Sequence, residues 1–321
     1  MTLPFLDKRF VIVAGKGGVG KSTLCAALGL LAAKAGKRTI VAELNTKEKV
    51  PHFFGKPDSG YNAQEVRENL YSINIQPEPA LHEYGLQKLK FERVYKLVFE
   101  NEAMQRLIRM IPGMSELFLL GKAFDLERSR TRTGTPAWDL VIVDAPATGH
   151  GVSLLRLPQV ILEVSSTGPM ADEVRLMRDL LSDPRRTMIN IACLPEEMPV
   201  KETLMLAEQV ESILKIPTGF LFMNGLLPEV ENDEERAWSA ALRSDTEDPV
   251  VLRALDCLDG MARRQALQES YVELLREKTR MPLVEIPYLF QRDFGVEALE
   301  AIGAVLEKAM VAEAAATAGA G

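Results

Sequence analysis

Six short, almost unbroken apolar runs divide the chain, at Phe10–Ala14, Thr39–Ala42, Leu140–Asp144, Met188–Ala192, Gly219–Met223 and Leu283–Ile286. Unbroken apolarity marks strands buried on both faces, whereas alternation would mark strands with one wet face. Helical patterns separate the runs. That order predicts an α/β fold: a mostly parallel sheet flanked by helices. Ligands of such sheets bind beyond the carboxyl ends of the strands.

Two stretches are too long for simple crossovers. From Leu81 to Arg130, apolar residues recur at helical spacing through Phe91, Val94, Val98, Met104 and Ile108, with a break at Pro112-Gly113. From Glu229 to Lys278, the acidic opening Glu229-Val-Glu-Asn-Asp-Glu-Glu leads into a pattern through Leu252, Leu255, Leu258, Met261 and Leu267. Acidic residues favour a helix N-terminus, so this opening predicts a solvated helix start. The chain reads as a single domain, 1–321, with a helical subdomain from insertions at about 81–132 and 229–280. The Ala-rich residues from Ala314 onward predict a frayed tail. No internal repeat is visible.

Directly after the first apolar run stands Gly15-Lys16-Gly17-Gly18-Val19-Gly20-Lys21-Ser22, followed by Thr23 and a helical pattern to about Lys34. A strand, then G-x-x-x-x-G-K-[ST], then a helix is the cradle of a nucleoside triphosphate. Its glycines let backbone N–H groups converge on phosphate without a Cβ in the way. The helix N-terminus adds positive potential. Lys21 is placed to reach the β- and γ-phosphates, and the Ser22 hydroxyl to ligate Mg²⁺. The third apolar run ends in Asp144, a carboxylate suited to the same Mg²⁺. A second phosphate loop, which a fused double ATPase would need, is not present in the sequence.

Composition narrows the class. The net charge of −7 argues against a broad basic face for nucleic acid. Cys25, Cys193 and Cys257 stand far apart without C-x-x-C spacing, so the sequence points to no zinc site and no disulfide framework. The N-terminus is too short and polar for a signal peptide. No run approaches the ~18 apolar residues that read as a membrane span. The expectation is a cytoplasmic protein with at most a peripheral membrane partner.

The early lysine of the loop, Lys16, makes it resemble the deviant Walker A of ATPases that dimerise across their nucleotides. The resemblance implies that Lys16 crosses to the partner's phosphates. The strand and turn Asp139-Leu-Val-Ile-Val-Asp144-Ala-Pro-Ala-Thr-Gly-His-Gly151 resembles the switch II segment of the ArsA family. That family comprises arsenite-pump ATPases and ATPases that deliver tail-anchored membrane proteins. Leu154–Pro158, Cys193–Thr203, Met223-Asn224-Gly225 and Ile286–Val296 also fit it, so the likeness covers about residues 9 to 305 and is weak in the helical insertions. It implies a P-loop NTPase core and ATP with Mg²⁺ as ligands. It also implies an adenine contact from Asn224 and packing of the loop around Pro287 on the base. His150 is given a positioning role in this moving segment rather than proton transfer.

The chain departs from its relatives after the second run. Where the family carries D-P-A-H, this sequence has Glu43-Leu-Asn45-Thr-Lys-Glu-Lys-Val-Pro. Asn45 falls at the position of the water-orienting aspartate. An amide can orient water but cannot accept its proton, which implies slow hydrolysis. Glu43 either assists Mg²⁺ or water or caps the strand end. A bacterial subgroup of the family shares this departure. Methionines Met104, Met110 and Met114, near Leu117–Leu120, suit either an adaptable groove for an apolar client or the subdomain's own core.

The leading reading is a MgATP-driven switch, homodimeric or paired with a paralogue, that binds or releases a protein partner. Two alternatives stay open: an ATP-binding subunit that does not hydrolyse, and the energy subunit of a metalloid pump.

Overall fold

The computed structural model describes residues 3–89, 113–164 and 167–319. Its centre is an eight-stranded sheet in the order β3-β4-β2-β5-β1-β6-β7-β8. The strands are β1 (Phe10–Gly15), β2 (Thr39–Leu44), β3 (Gln64–Arg67), β4 (Leu70–Ile75), β5 (Leu140–Asp144), β6 (Thr187–Cys193), β7 (Thr218–Leu226) and β8 (Leu283–Pro287). All neighbours pair parallel except β3, which runs antiparallel to β4 at the edge. All six predicted strands are present. The pattern did not reveal β3 and β4. β4 reads Leu-Tyr-Ser-Ile-Asn-Ile, and its polar interruptions hide a strand whose Ser72 and Asn74 are nonetheless buried.

Helices cover both faces. They are α1 (Lys21–Lys34), the single turn α2 (Val50–Phe53), α3 (Pro77–Leu89), α4 (Met114–Arg128), α5 (Thr148–Val164), α6 (Pro169–Ser182), α7 (Glu197–Gln209), α8 (Asp233–Asp245), α9 (Pro249–Lys278) and α10 (Val296–Gly319). Alternate residues of β1 face opposite cores. Phe10 and Ile12 join the α4–α7 side, while Val11 and Val13 join the side covered by α1 and α10. α1 is apolar nearly all round because α10 packs over its outer flank.

The first helical insertion lies partly outside the described residues, including Met104 and Met110. Leu117, Phe118, Leu119 and Leu120 of α4 are buried in the main core, against the sheet. That part of the stripe packs in the core, and Leu117 and Phe118 also line a cavity with Tyr84, Gly121 and Met177. Met114 is half-buried and packs on the same core. The acidic opening of the second insertion does start a helix. The Asn232 side chain accepts from the Glu235 N–H and the Glu235 carboxylate accepts from the Asn232 N–H, a reciprocal cap for α8. The tail departs from expectation: α10 continues through the Ala-rich residues to Gly319, because alanine is the best helix former. Among the described residues no helix is long and apolar enough to cross a membrane.

Candidate nucleotide site

Gly15 ends β1 and opens the loop. A Cβ there would lie 2.3 Å from the Ala192 carbonyl oxygen of β6, and φ is +146°. Only glycine fits this approach of loop to strand. Gly18 and Gly20 also have positive φ, 86° and 94°. Gly20, which has no side chain to cap with, is the N-cap of α1. The glycine loop and the start of α1 thus bring backbone N–H groups and a positive helix end to one point, as an anion requires. Val19 is buried beneath it, and Lys21, Ser22 and Thr23 are half-buried in the opening turn.

The Lys21 ammonium donates to the Gly15 and Lys16 carbonyls at 3.1 and 2.9 Å, which holds it within the loop. Burial pulls its pKa below the ordinary lysine value, against the attraction of Asp144. Ser22 Oγ donates to Asp144 Oδ2 at 2.6 Å across 122 residues of sequence. A hydroxyl and a carboxylate held together at a strand end fit a hard, oxygen-seeking cation such as Mg²⁺. Burial raises the Asp144 pKa, opposed by the Ser22 hydrogen bond and by the charges of Lys21 and Lys49.

Parallel register sets Glu43 beside Asp144 on one flank and Asn74 on the other. Glu43 is fully buried. Burial lifts its pKa to about 8, with the Asp144 charge adding to the rise and hydrogen bonds from the backbone N–H of Lys49 and Val50 opposing it. Its Oε1 accepts from Lys49 N at 2.8 Å, so its carboxyl pins the entry to α2. The capping alternative therefore has direct geometry, with the cap placed on the following segment. Asn45 is exposed and left-handed at φ 47°, and its N–H donates to Ile75 O at 2.8 Å. Asparagine tolerates that region better than most residues, so the backbone alone gives a reason for the residue type.

Asn224 and Pro287 reach the site from the far side of β1. Asn224 Nδ2 donates to Val19 O at 3.0 Å, and its amide lies where a Cβ on Gly20 would stand. Its Oδ1 keeps acceptor capacity for a purine amino group. Asn224 pairs with Ile286, and Pro287 follows at the end of β8, exposed like Tyr288 beyond it. The structure thus assembles Gly15–Thr23, Glu43, Asp144 and Asn224 around the carboxyl ends of the central strands, with Pro287 at the adjoining strand end. Thr148–His150 open α5, and their side chains lie outside those described.

Two residues escaped sequence reasoning. Lys49 places its charge near both Lys21 and Asp144. Glu202 of α7 forms an ion pair with Lys16, Nζ to Oε1 2.8 Å. Glu202 lies inside the Cys193–Thr203 stretch already singled out, but only the packing of α7 beside the loop reveals its partner. Cys25 and Cys193 are buried, and burial pushes both thiols up, Cys193 to about 11. Among the described residues no cluster of three His, Cys, Asp or Glu side chains could hold a metal.

The family model described as anion-transporting ATPase matches residues 8–167 and 163–248. The chain is 28% identical over 233 residues to "ATPase BagA" of Mycobacterium tuberculosis, covering 68% of this chain and 66% of that protein. It is 25% identical to a "Putative arsenical pump-driving ATPase" of Halobacterium salinarum, over 94% of this chain and 45% of that protein. It is 23% identical to "ATPase GET3" of Podospora anserina, over 94% and 91%. The match spans just under two thirds of the length of the mycobacterial relatives. With most of the sheet inside the matched region and the phosphate loop at its head, the chain belongs to the ArsA-type family of anion-transporting ATPases.

Proposed function

We propose that this chain is a slow, Mg²⁺-dependent ATPase that assembles into a dimer across its nucleotides and couples that state to a protein partner. The observation that carries the reading is the 2.6 Å Ser22–Asp144 contact at the head of a glycine loop that holds Lys21. Gly15 to Thr23 cradle the phosphates, and Lys21 meets the β- and γ-phosphoryl oxygens. Asn224 accepts from the adenine amino group, and the loop beyond Pro287 covers the base. Ser22 and Asp144 would hold Mg²⁺, which would supply charge neutralisation at the transferred phosphoryl group. Asn45 orients the attacking water without taking its proton. Phosphoryl transfer depends mostly on positioning and charge, so the step is slow rather than lost.

The second reading, an ATP-binding subunit that does not turn over, is favoured by the left-handed backbone of Asn45, which accounts for that residue without any chemistry. Steady-state ATP hydrolysis with Mg²⁺ separates the two, using wild type, Lys16→Ala and Asn45→Asp, with association followed by light scattering. Turnover that is lost in Lys16→Ala and rises in Asn45→Asp supports the switch. Intact ATP binding with no turnover in wild type or in Asn45→Asp defeats it.

A further inference from the structure

Lys16 leaves the phosphate loop toward α7 and meets Glu202 there. The meeting is fixed by the sheet. Gly15 pairs in register with Ala192 of β6, and nothing larger than glycine fits against it. α7 starts just beyond β6 and buries Pro199, Val200, Thr203 and Leu206, leaving Glu202 on the flank that faces the loop. The paired side chains keep 31% and 30% of their surface, so the contact is open to exchange. Lys21 differs: it donates to two backbone carbonyls, which carry no net charge.

We infer that Glu202 is an internal counter-ion that competes with nucleotide phosphate for Lys16, so that the free subunit keeps this lysine engaged and assembly begins only when phosphate displaces the carboxylate. This rests on the reading that Lys16 acts on a partner's phosphates. A triphosphate carries several negative charges and a carboxylate one, so phosphate prevails once the subunits close. Releasing Glu202 still subtracts from the free energy of closing, and that subtraction raises the MgATP concentration at which assembly occurs. The carboxylate is a threshold, built into one helix, against premature pairing.

The test titrates MgATP into the full chain at low ionic strength and follows association by light scattering. Glu202→Gln keeps the size of the side chain and removes its charge. Its midpoint for association is expected to fall by about fivefold, the upper range for a half-exposed pair, and the gain should shrink as salt rises. Glu202→Asp, which withdraws the carboxylate by one methylene, should give a smaller fall in the same direction. Glu197→Gln removes the same charge from the same helix, but its partner is Lys201, so it should leave the midpoint in place. An unchanged or higher midpoint in Glu202→Gln, or an equal fall in Glu197→Gln, overturns the inference. Lys16→Ala separates the two claims. If it abolishes association while Glu202→Gln changes nothing, the reading of Lys16 stands and the competition falls. If Lys16→Ala leaves association intact, or wild type never associates with MgATP, both fall together.

Discussion

The carboxyl ends of β1, β2 and β5 and the α8–α9 hairpin both concentrate charge, with opposite consequences. At the strand ends, Glu43 and Asp144 are buried side by side, and burial moves the titration of both. In the hairpin, Arg243 bridges Asp256 and Asp259 at 2.8 and 2.7 Å, but in water. Among its described side chains α8 buries only Ser239, and Trp238 and Val250 stand exposed. In the second half of α9, Gln268 Oε1 accepts from Leu227 N and Val272 and Leu275 enter the core. The same residue types form a chemical site where the sheet excludes water and a solvated surface where it does not. Solvent, rather than the number of charged partners, sets what a charge is worth.

The strongest way to break that contrast is at the loop that creates the dry end. Gly15→Ala forces a Cβ onto the Ala192 carbonyl. It should destabilise the fold by about 3 kcal/mol or more and remove nucleotide binding. Urea denaturation beside fluorescent-nucleotide titration measures both, and a stable, ATP-binding variant would refute the packing argument.

A subtler comparison uses two groups that each have two partners. Glu127, at the end of α4, is nearly fully buried and accepts from Arg9 at 2.9 Å and Arg186 at 2.6 Å. Burial pushes its pKa up, but the hydrogen bonds and charges of the two arginines outweigh this and hold it below the ordinary value. Glu127→Gln should cost about 2 kcal/mol at neutral pH. Because the folded pKa is depressed, the wild-type advantage is present above the unfolded value of about 4.3 and is lost as pH falls through the folded one. Wild type and variant should therefore converge in acid, and parallel pH profiles would contradict the assignment. Arg243→Ala, the exposed counterpart, should leave the denaturation midpoint unchanged. A clear drop there would show the hairpin's ion pairs to be more than surface decoration.

Much of this could be read from local chemistry. Unbroken apolar runs announced the six central strands, because burial on both faces demands them. The loop from Gly15 to Ser22 announced a glycine-lined turn from strand to helix, because its positive-φ and close-approach positions need residues without a Cβ. The start of α8 was legible in its acidic opening, but its Asn232–Glu235 cap was not. β4 was hidden because its buried Ser72 and Asn74 break the apolar run, although the sheet takes both into its interior. The stripe Leu117–Leu120 was ambiguous because helical spacing shows that a face is apolar without showing what covers it.

By itself, then, the sequence determined the fold class, the phosphate loop and the strand that carries Asp144, since each depends on residues adjacent along the chain. Only the tertiary structure decided that Ser22 meets Asp144, that Asn224 leans on Gly20, that Glu43 pins Lys49, and that Lys16 is held by Glu202. These partners come from separate strands and helices. Strand order and register decide who meets whom, and no stretch of the chain encodes its neighbour's position.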